Sequence, residues 1–483
     1  MFKTTHMLLN DLEPSFDLVV RSVPEAEIEV VFISTMVDLT RVEERLLGPL
    51  TSNSIKKSRN TITWLQNTLQ LTSIQQSAEV RQAVRGLLEN KAVLCLPREF
   101  VLVDVQGLIR RTPKEPSAEM SIRGSRDGFT ESMDTNVSLV RSRLKDPKLS
   151  LKQWVLGERT QTRVLLIYIQ DLANPRIVDE VERRLGQIHV DGVIDSGTLE
   201  QWIEDNHWSP YPQLQSTERP DKVAASLLEG RMAILVDGTP FALLAPAVMV
   251  SFFQTTDDYA QRWISGTAMR FTRIVALAMS IFAPSLYIAL TMYNPELIPV
   301  KMVLQLAATR EGIPLPILLE ALFMEVMVEL VREAGNRMPQ QMGQSFTIVG
   351  GLVIGDIAVQ AGVVSPIMVV AVGLTALGAF AIPNYEAAFV TRMVRFPMLL
   401  MTAMFGVIGT LGFALVLIAH LCTLKSFGIP YLTPFTQLAL LDWQDTLIRG
   451  PVQLSTTRPA TYWSPRAWLG RGRYKKRKEY APS

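Results

Sequence analysis

Between Arg273 and Cys422 the chain carries a succession of apolar runs, and no other feature restricts its fold so strongly. "RIVALAMSIFAPSLYIALTMY" (Arg273 to Tyr293) suits a spanning helix with Pro284 as a tolerated kink. "SFTIVGGLVIGDIAVQAGVVS" (Ser345 to Ser365), "PIMVVAVGLTALGAFAIP" (Pro366 to Pro383) and "FPMLLMTAMFGVIGTLGFALVLIAHLC" (Phe396 to Cys422) follow. Runs of about 20 apolar residues match the thickness of a bilayer, and several in a row are rare in water-soluble folds. A hydrophobic content of 48%, a charged content of 19% and a mean hydropathy of +0.19 agree with a membrane-embedded half. Up to Arg231, by contrast, charges come every few residues and no run approaches that length.

One further segment, "PLPILLEALFMEVMVELVREAGNR" (Pro314 to Arg337), keeps helical apolar spacing but is interrupted by Glu320, Glu325, Glu329 and Glu333. On a helix the last three share a face at i, i+4 steps, while Glu320 lies nearer the side. Carboxylates at membrane depth are costly, so Glu320, Glu325 and Glu329 are candidate pore or cavity acids; a helix lying on the membrane surface is the alternative. Arg262, Arg270 and Arg273 precede the first run, and the end of the chain is rich in Arg and Lys from Arg458 to Lys478. The positive-inside rule places both ends in the cytoplasm and requires an even number of crossings, four or six. Five apolar segments are present, and the Glu-bearing one is the candidate for exclusion. The basic tail fits a solvated or anionic-lipid-binding segment better than a nucleic-acid arm, and the net charge of +2 gives no reason to expect nucleic acid.

The polar half contains an internal repeat. "VFISTMVDLTRVEERLL" (Val31 to Leu47) and "IYIQDLANPRIVDEVERRL" (Ile167 to Leu185) each read as strand, Asp or Asn cap, and amphipathic helix. "LLENKAVLCLPREFVLVDV" (Leu87 to Val105) and "LLEGRMAILVDGTPFALLAP" (Leu227 to Pro246) each place Leu-Leu-Glu before two apolar strands. In the second, Asp237, Gly238, Thr239 and Pro240 supply a hairpin turn ahead of the membrane. The expected fold is therefore an α/β cytoplasmic region of two related subdomains, residues 1–150 and 151–253, followed by an approach linker (254–272). An all-α polytopic domain (273–424) and a basic cytoplasmic tail (425–483) complete it.

No P-loop, dinucleotide fingerprint, nucleophile elbow or metal motif appears, so neither an enzyme, a cofactor nor a metal is expected. The cysteines are Cys95 and Cys422, and His6, His189, His207 and His420 lack ligand spacing. Asp191 and Asp195 suit turn and cap roles, and the polar loop "RGSRDGFTES" suits a helix-capping loop. Gly351 and Gly355 form a G-x-x-x-G pattern, while Gly406, Gly409 and Gly412 thin a longer helix; both patterns allow close helix packing.

Several blocks together resemble the A subunit of the GerA-type spore germinant receptors of endospore-forming bacteria, over roughly Lys91 to Pro434. They include "RGSRDGFTESMDTNVSLVRSRLKDPKL", "DGVIDSGTLEQWIEDN", "SPYPQLQSTERPDKVAASLLEGRMAILVDGTPFALLAPA", "LPILLEALFMEVMVELVREA" and "IPNYEAAFVTRMVRFP". The sporulation-protein paralogue of that subunit shares the pattern. The resemblance implies residence in the spore inner membrane and a complex with a transporter-like B subunit and a lipoprotein C subunit. It also implies self-association as a pentamer into a nutrient-gated cation channel. Two other readings stay open: a non-conducting scaffold or signal relay, and an ion-coupled transporter using Asp356 or the glutamates.

Overall fold

The computed structural model describes residues 2–52, 65, 69, 74–97, 99–105, 115–116, 119, 121, 123–338, 355–436, 442–446, 448–451, 458–462 and 464–465. Gly351 and the basic run from Arg466 onward lie outside them.

The polar half builds two antiparallel sheets of five strands each. The first contains β1 (Leu18–Val23), β2 (Ile28–Ile33), β3 (Ile74–Ser77), β4 (Lys91–Cys95) and β5 (Phe100–Asp104), in the order β1-β2-β4-β5-β3. The second contains β6 (Leu149–Leu156), β7 (Thr162–Ile169), β8 (Gln215–Thr217), β9 (Met232–Val236) and β10 (Ala242–Ala245), in the corresponding order β6-β7-β9-β10-β8. Identical strand order confirms the repeat. Both faces of each sheet are buried, because helices cover both, and this is why the central strands read as continuous apolar runs rather than alternating ones.

On the first sheet lie α1 (Lys3–Asn10), α2 (Leu39–Val42), α3 (Gly48–Ser52) and α4 (Val80–Leu88). On the second lie α5 (Met133–Arg143), α6 (Pro175–Gly186), α7 (Ser196–Ile203) and α8 (Pro220–Leu228). The repeat extends to the caps. Asp38 accepts from the Thr40 amide (3.0 Å) at the start of α2, and Asn174 accepts from the Arg176 amide (3.0 Å) at the start of α6. After each Leu-Leu-Glu the chain leaves its helix through a left-handed residue, Asn90 (φ 67°) or Gly230 (φ 92°). Asp195 caps α7 through the Thr198 amide (2.7 Å), which holds its carboxyl below the usual range.

The subdomain boundary expected near residue 150 lies earlier. Phe129, Met133, Val137 and Val140 pack with Leu165, Ile167 and Leu235 of the second sheet, so α5 belongs to the second subdomain. A bidentate pair joins the two units: Arg141 of α5 donates to both oxygens of fully buried Asp17 (2.8 Å each). Burial alone would raise the Asp17 carboxyl, but Arg141, Ser15 and Thr35 together hold it below the usual range.

The apolar half is a helical bundle of α10 (Trp263–Ile288), α11 (Val300–Arg310), α12 (Ile317–Arg337), α13 (Pro366–Phe380) and α14 (Tyr385–Thr423), with the short α9 (Thr256–Ala260) ahead of it. Among the described residues two helices, Trp263–Tyr293 and Tyr385–Thr423, are long and apolar enough to cross a membrane.

The run expected to be the longest single helix, Phe396 to Cys422, is instead two arms of a hairpin. Glu386 accepts from Ser216 (2.8 Å) and His420 contacts Ser209 (2.9 Å). A straight helix would hold residues 386 and 420 about 51 Å apart. Ser209 and Ser216, seven residues apart in the chain, cannot be separated by more than about 25 Å. The reversal sits at Gly406 (φ 62°, ψ −141°), a backbone region open essentially to glycine alone. Across it, Thr402 and Thr410 meet through their hydroxyls (2.8 Å), and a Cβ on Gly409 would lie 2.0 Å from the Met401 carbonyl.

The segment after Thr423 is no free tail. The two-stranded β11 (Lys425–Ser426) and β12 (Ile429–Pro430) turn back onto the second subdomain, where Phe427, Ile429 and Tyr462 join the core formed by Val164, Val236 and Leu243.

Candidate functional site

Two arrangements stand out: a charged joint between the α/β region and the bundle, and a ladder of ion pairs inside the bundle.

The joint occupies what the sequence suggested was a linker. Thr255 and Asp258 form a capping box on α9. Asp258, fully buried, then accepts from both Nη atoms of Arg273 (2.8 and 2.7 Å) and from Arg270 Nε (3.3 Å). Burial pushes this carboxyl up, but Arg273 and Arg270 more than reverse that and hold it below the usual range. Arg449 donates to the carbonyls of Asp258, Tyr259 (3.0 Å) and Gln261 (2.6 Å), so the returning chain locks the same corner. Arg270 and Arg273 were expected as basic flanks that set the orientation of the first span. Both also pair with Asp258, because an uncompensated buried carboxylate would cost several kcal/mol.

A second contact region lies where both ends of α14 reach the second subdomain. Asn384 caps α14 through the Ala387 amide (3.0 Å), and Tyr211, Phe252 and Tyr431 stack around its base. Glu200 of α7 is pushed up to about 9 by burial, by Glu386 and by Glu204. This places a carboxyl that keeps its proton at neutral pH against the foot of the hairpin.

Inside the bundle the acids of α12 follow one another from its N-terminus. Glu320 is fully buried, accepting from the Ser365 amide (2.6 Å) and Arg310 Nη1 (2.9 Å). Glu325 pairs with Arg395 of α14 and accepts from Thr375 of α13 (3.2 Å). Arg395 also donates to Thr375 (2.8 Å) and to Ser280 of α10 (3.0 Å), so this one pair touches four helices. Glu329 meets Arg332 (3.3 Å) and Arg392 (3.4 Å), and the outermost acid, Glu333, meets Arg337. The sequence set Glu320 to the side of the acidic face; the structure buries it, because the first turn of α12 packs on the start of α13 at Ser365.

A family model described as the Bacillus/Clostridium GerA spore germination protein matches residues 6–461. The chain belongs to the GerA family. It is 39% identical to spore germination protein KA of Bacillus subtilis (strain 168) over 453 residues, 92% of this chain and 83% of that protein. It is 36% identical to spore germination protein GerLA of Bacillus cereus over 466 residues, 95% of each. The uncharacterized membrane protein YfkQ of Bacillus subtilis (strain 168) is 39% identical over 435 residues, 90% of this chain and 85% of that one. Among solved structures, the N-terminal domain of the A subunit of the Bacillus megaterium spore germinant receptor GerK3 is 31% identical. That structure covers 51% of this chain and 92% of its own, with a TM-score of 0.39.

In this GerA chain the expected packing glycines fall into different roles. A Cβ on Gly355 would lie 3.6 Å from Val369, Gly406 and Gly409 build the hairpin, and Gly412 faces open space. Another close helix approach is at Gly378, where a Cβ would lie 2.4 Å from the Ala276 carbonyl of α10, a partner that no pattern in the chain announces. The turn at Asp237 to Pro240 fastens α5: Asp237 accepts from the Met133 amide (3.1 Å) and Arg163 (3.0 Å), and Gly238, at φ +90°, donates to the Glu131 carbonyl (2.9 Å). Asp356 accepts from Gln360 (2.7 Å) on an exposed face. Arg392 and Arg395 were missed, although a signal existed. Two arginines three apart in one apolar helix complement two glutamates four apart in another.

Proposed function

We propose that this GerA family chain is the A subunit of a nutrient germinant receptor and not an enzyme, and that it needs no cofactor. It crosses the spore inner membrane six times, with the α/β region and both termini on the cytoplasmic side. It works with a transporter-like B subunit and a lipoprotein C subunit, and copies of it assemble as a ring, a pentamer, around a gated cation path. Six crossings follow if all five apolar runs of the sequence are counted, the Glu-bearing one and Ser345 to Ser365 among them, and the last is counted twice for the two arms of α14. In this reading α10 and the first arm of α14 lead away from the α/β region, whereas α12, α13 and the second arm of α14 return.

The observation that carries the reading is that α10 joins two buried ion pairs: Arg273 in its first half pairs with Asp258, and Ser280 two turns on accepts from Arg395, which pairs with Glu325. A displacement of the second subdomain moves α10 and α14 together, and those helices hold the interior acids. In the latched state each acid is neutralised by arginine and attracts no cation. Separation of Glu325 from Arg395 in the ring would expose a carboxylate that favours cations. The same complete pairing favours, as a second reading, a scaffold or relay that never conducts.

Purified full-length chain in nanodiscs gives the subunit number by mass, and the same particles in liposomes report potassium flux. Arg395→Gln should raise basal flux and Glu325→Gln should lower it in a closed ring. A monomer, or a ring impermeable in every variant, removes conduction from this chain and leaves the relay.

A further inference from the structure

We propose that the space between α12 and α13 holds one acyl chain of an anionic phospholipid, with the headgroup phosphate on Arg332. A cavity of about 250 Å³ opens there, lined by apolar side chains such as Met327, Val331, Val372, Ala376 and Phe380, with Arg332 as its one charged lining residue among the described residues.

Charge is unbalanced at that end of the ladder. Glu325 and Arg395 match one to one, but the single carboxylate of Glu329 serves both Arg332 and Arg392. One positive charge is therefore left over among these groups. The Nε of Arg332 is buried and donates to no acceptor among the described residues, and its guanidinium stacks on Phe380 at 5.0 Å. A guanidinium in an apolar bundle demands an anionic partner, and a phosphate diester offers the paired oxygens its fork accepts.

Depth fits the same ligand. Phe380 lies three residues before Pro383, which faces Phe252 of the α/β region, so Arg332 sits at the level where headgroups lie in a bilayer. From Arg332 the lining runs down α12 to Met324, about 12 Å deeper, which is the reach of an alkyl chain and not of a headgroup. Leu330 and Leu377, on the same two helices, are exposed, so bilayer lipid lies at the mouth.

The proposal rests on the bilayer placement given above but not on conduction. The full chain is reconstituted in phosphatidylcholine nanodiscs with a trace of phosphatidylglycerol or phosphatidylcholine carrying a photoactivatable acyl chain, and labelled peptides are mapped by mass. The glycerol-headgroup probe should label 324–331 and 369–380 about five-fold more strongly than the choline probe. Arg332→Gln should equalise the two probes. Gly373→Leu should abolish labelling by both, since nothing lies within 4 Å of a Cβ there and the new side chain fills the cavity; Ala376→Phe serves if the first variant loses thermal stability. Equal labelling of the parent by both probes, or labelling that survives a stable cavity-filling variant, overturns the site. Displacement of the phospholipid label by free palmitate overturns the choice of a bilayer lipid, and failure to enter nanodiscs overturns the membrane placement itself.

Discussion

Glu325 and Arg395 are each about 3% exposed and bind one another, Thr375 and Ser280 across four helices. Removing one partner strands the other charge in an apolar interior. Glu325→Gln and Arg395→Gln should each therefore destabilise the detergent-purified chain by about 3 kcal/mol or more, whereas Glu325→Met with Arg395→Met should restore much of the loss. Thermal unfolding of the single and double variants checks this, and additive losses would show that the pair is not a unit. Glu200 makes the complementary case. Its folded pKa of about 9 lies above the ordinary 4.5, so its contribution to stability is full below the ordinary value and is lost as pH rises toward 9. Glu200→Gln should flatten the fall in Tm between pH 5 and 9; an unchanged profile would remove Glu200 as its source. At this scale the acids were legible, since carboxylates interrupting an apolar helix demand an explanation. Most of their partners were not, because Arg310, Ser365 and Thr375 carry no spacing that points to an acid, and Arg395 is announced only by its three-residue spacing from Arg392.

Elements show why hydropathy misled at the longest run. An apolar stretch of that length satisfies the requirement for one span, and nothing in its composition distinguishes a straight helix from two short ones. The glycines carried the missing information: Gly406 provides a conformation other residues avoid, and Gly409 lets the arms touch. In a Cys422→Ser background, Thr402→Cys with Thr410→Cys should form an intramolecular disulfide, as the hydroxyls are now 2.8 Å apart. Eight residues of straight helix would separate those positions by about 12 Å, beyond the reach of a disulfide. Gly406→Val should suppress that crosslink, because its Cβ would press within 2.7 Å of the Tyr293 ring. The strand-cap-helix repeat, by contrast, was readable in advance, since caps such as Asp38 and Asn174 act locally and leave local signatures.

For the whole molecule, both ends of the bundle meet the same subdomain and its far end is marked by Tyr293, whose hydroxyl binds the Ala403 carbonyl. Native Cys422, exposed near the α/β side, and a Leu297→Cys replacement near the far turn should therefore react with an impermeant maleimide from opposite faces of sealed vesicles. Labelling from one face would refute the six-crossing arrangement. The architecture was legible as two halves but not as an insertion, because the residues that return, Phe427, Ile429 and Tyr462, are few and scattered. That return has a consequence in time. Synthesis runs from the N-terminus, so Arg231 waits for the Tyr462 ring that stacks on it at 5.3 Å until every apolar helix has emerged. The second subdomain is sealed by residues made after the bundle, and only a molecule translated past Arg449 carries the lock on the joint.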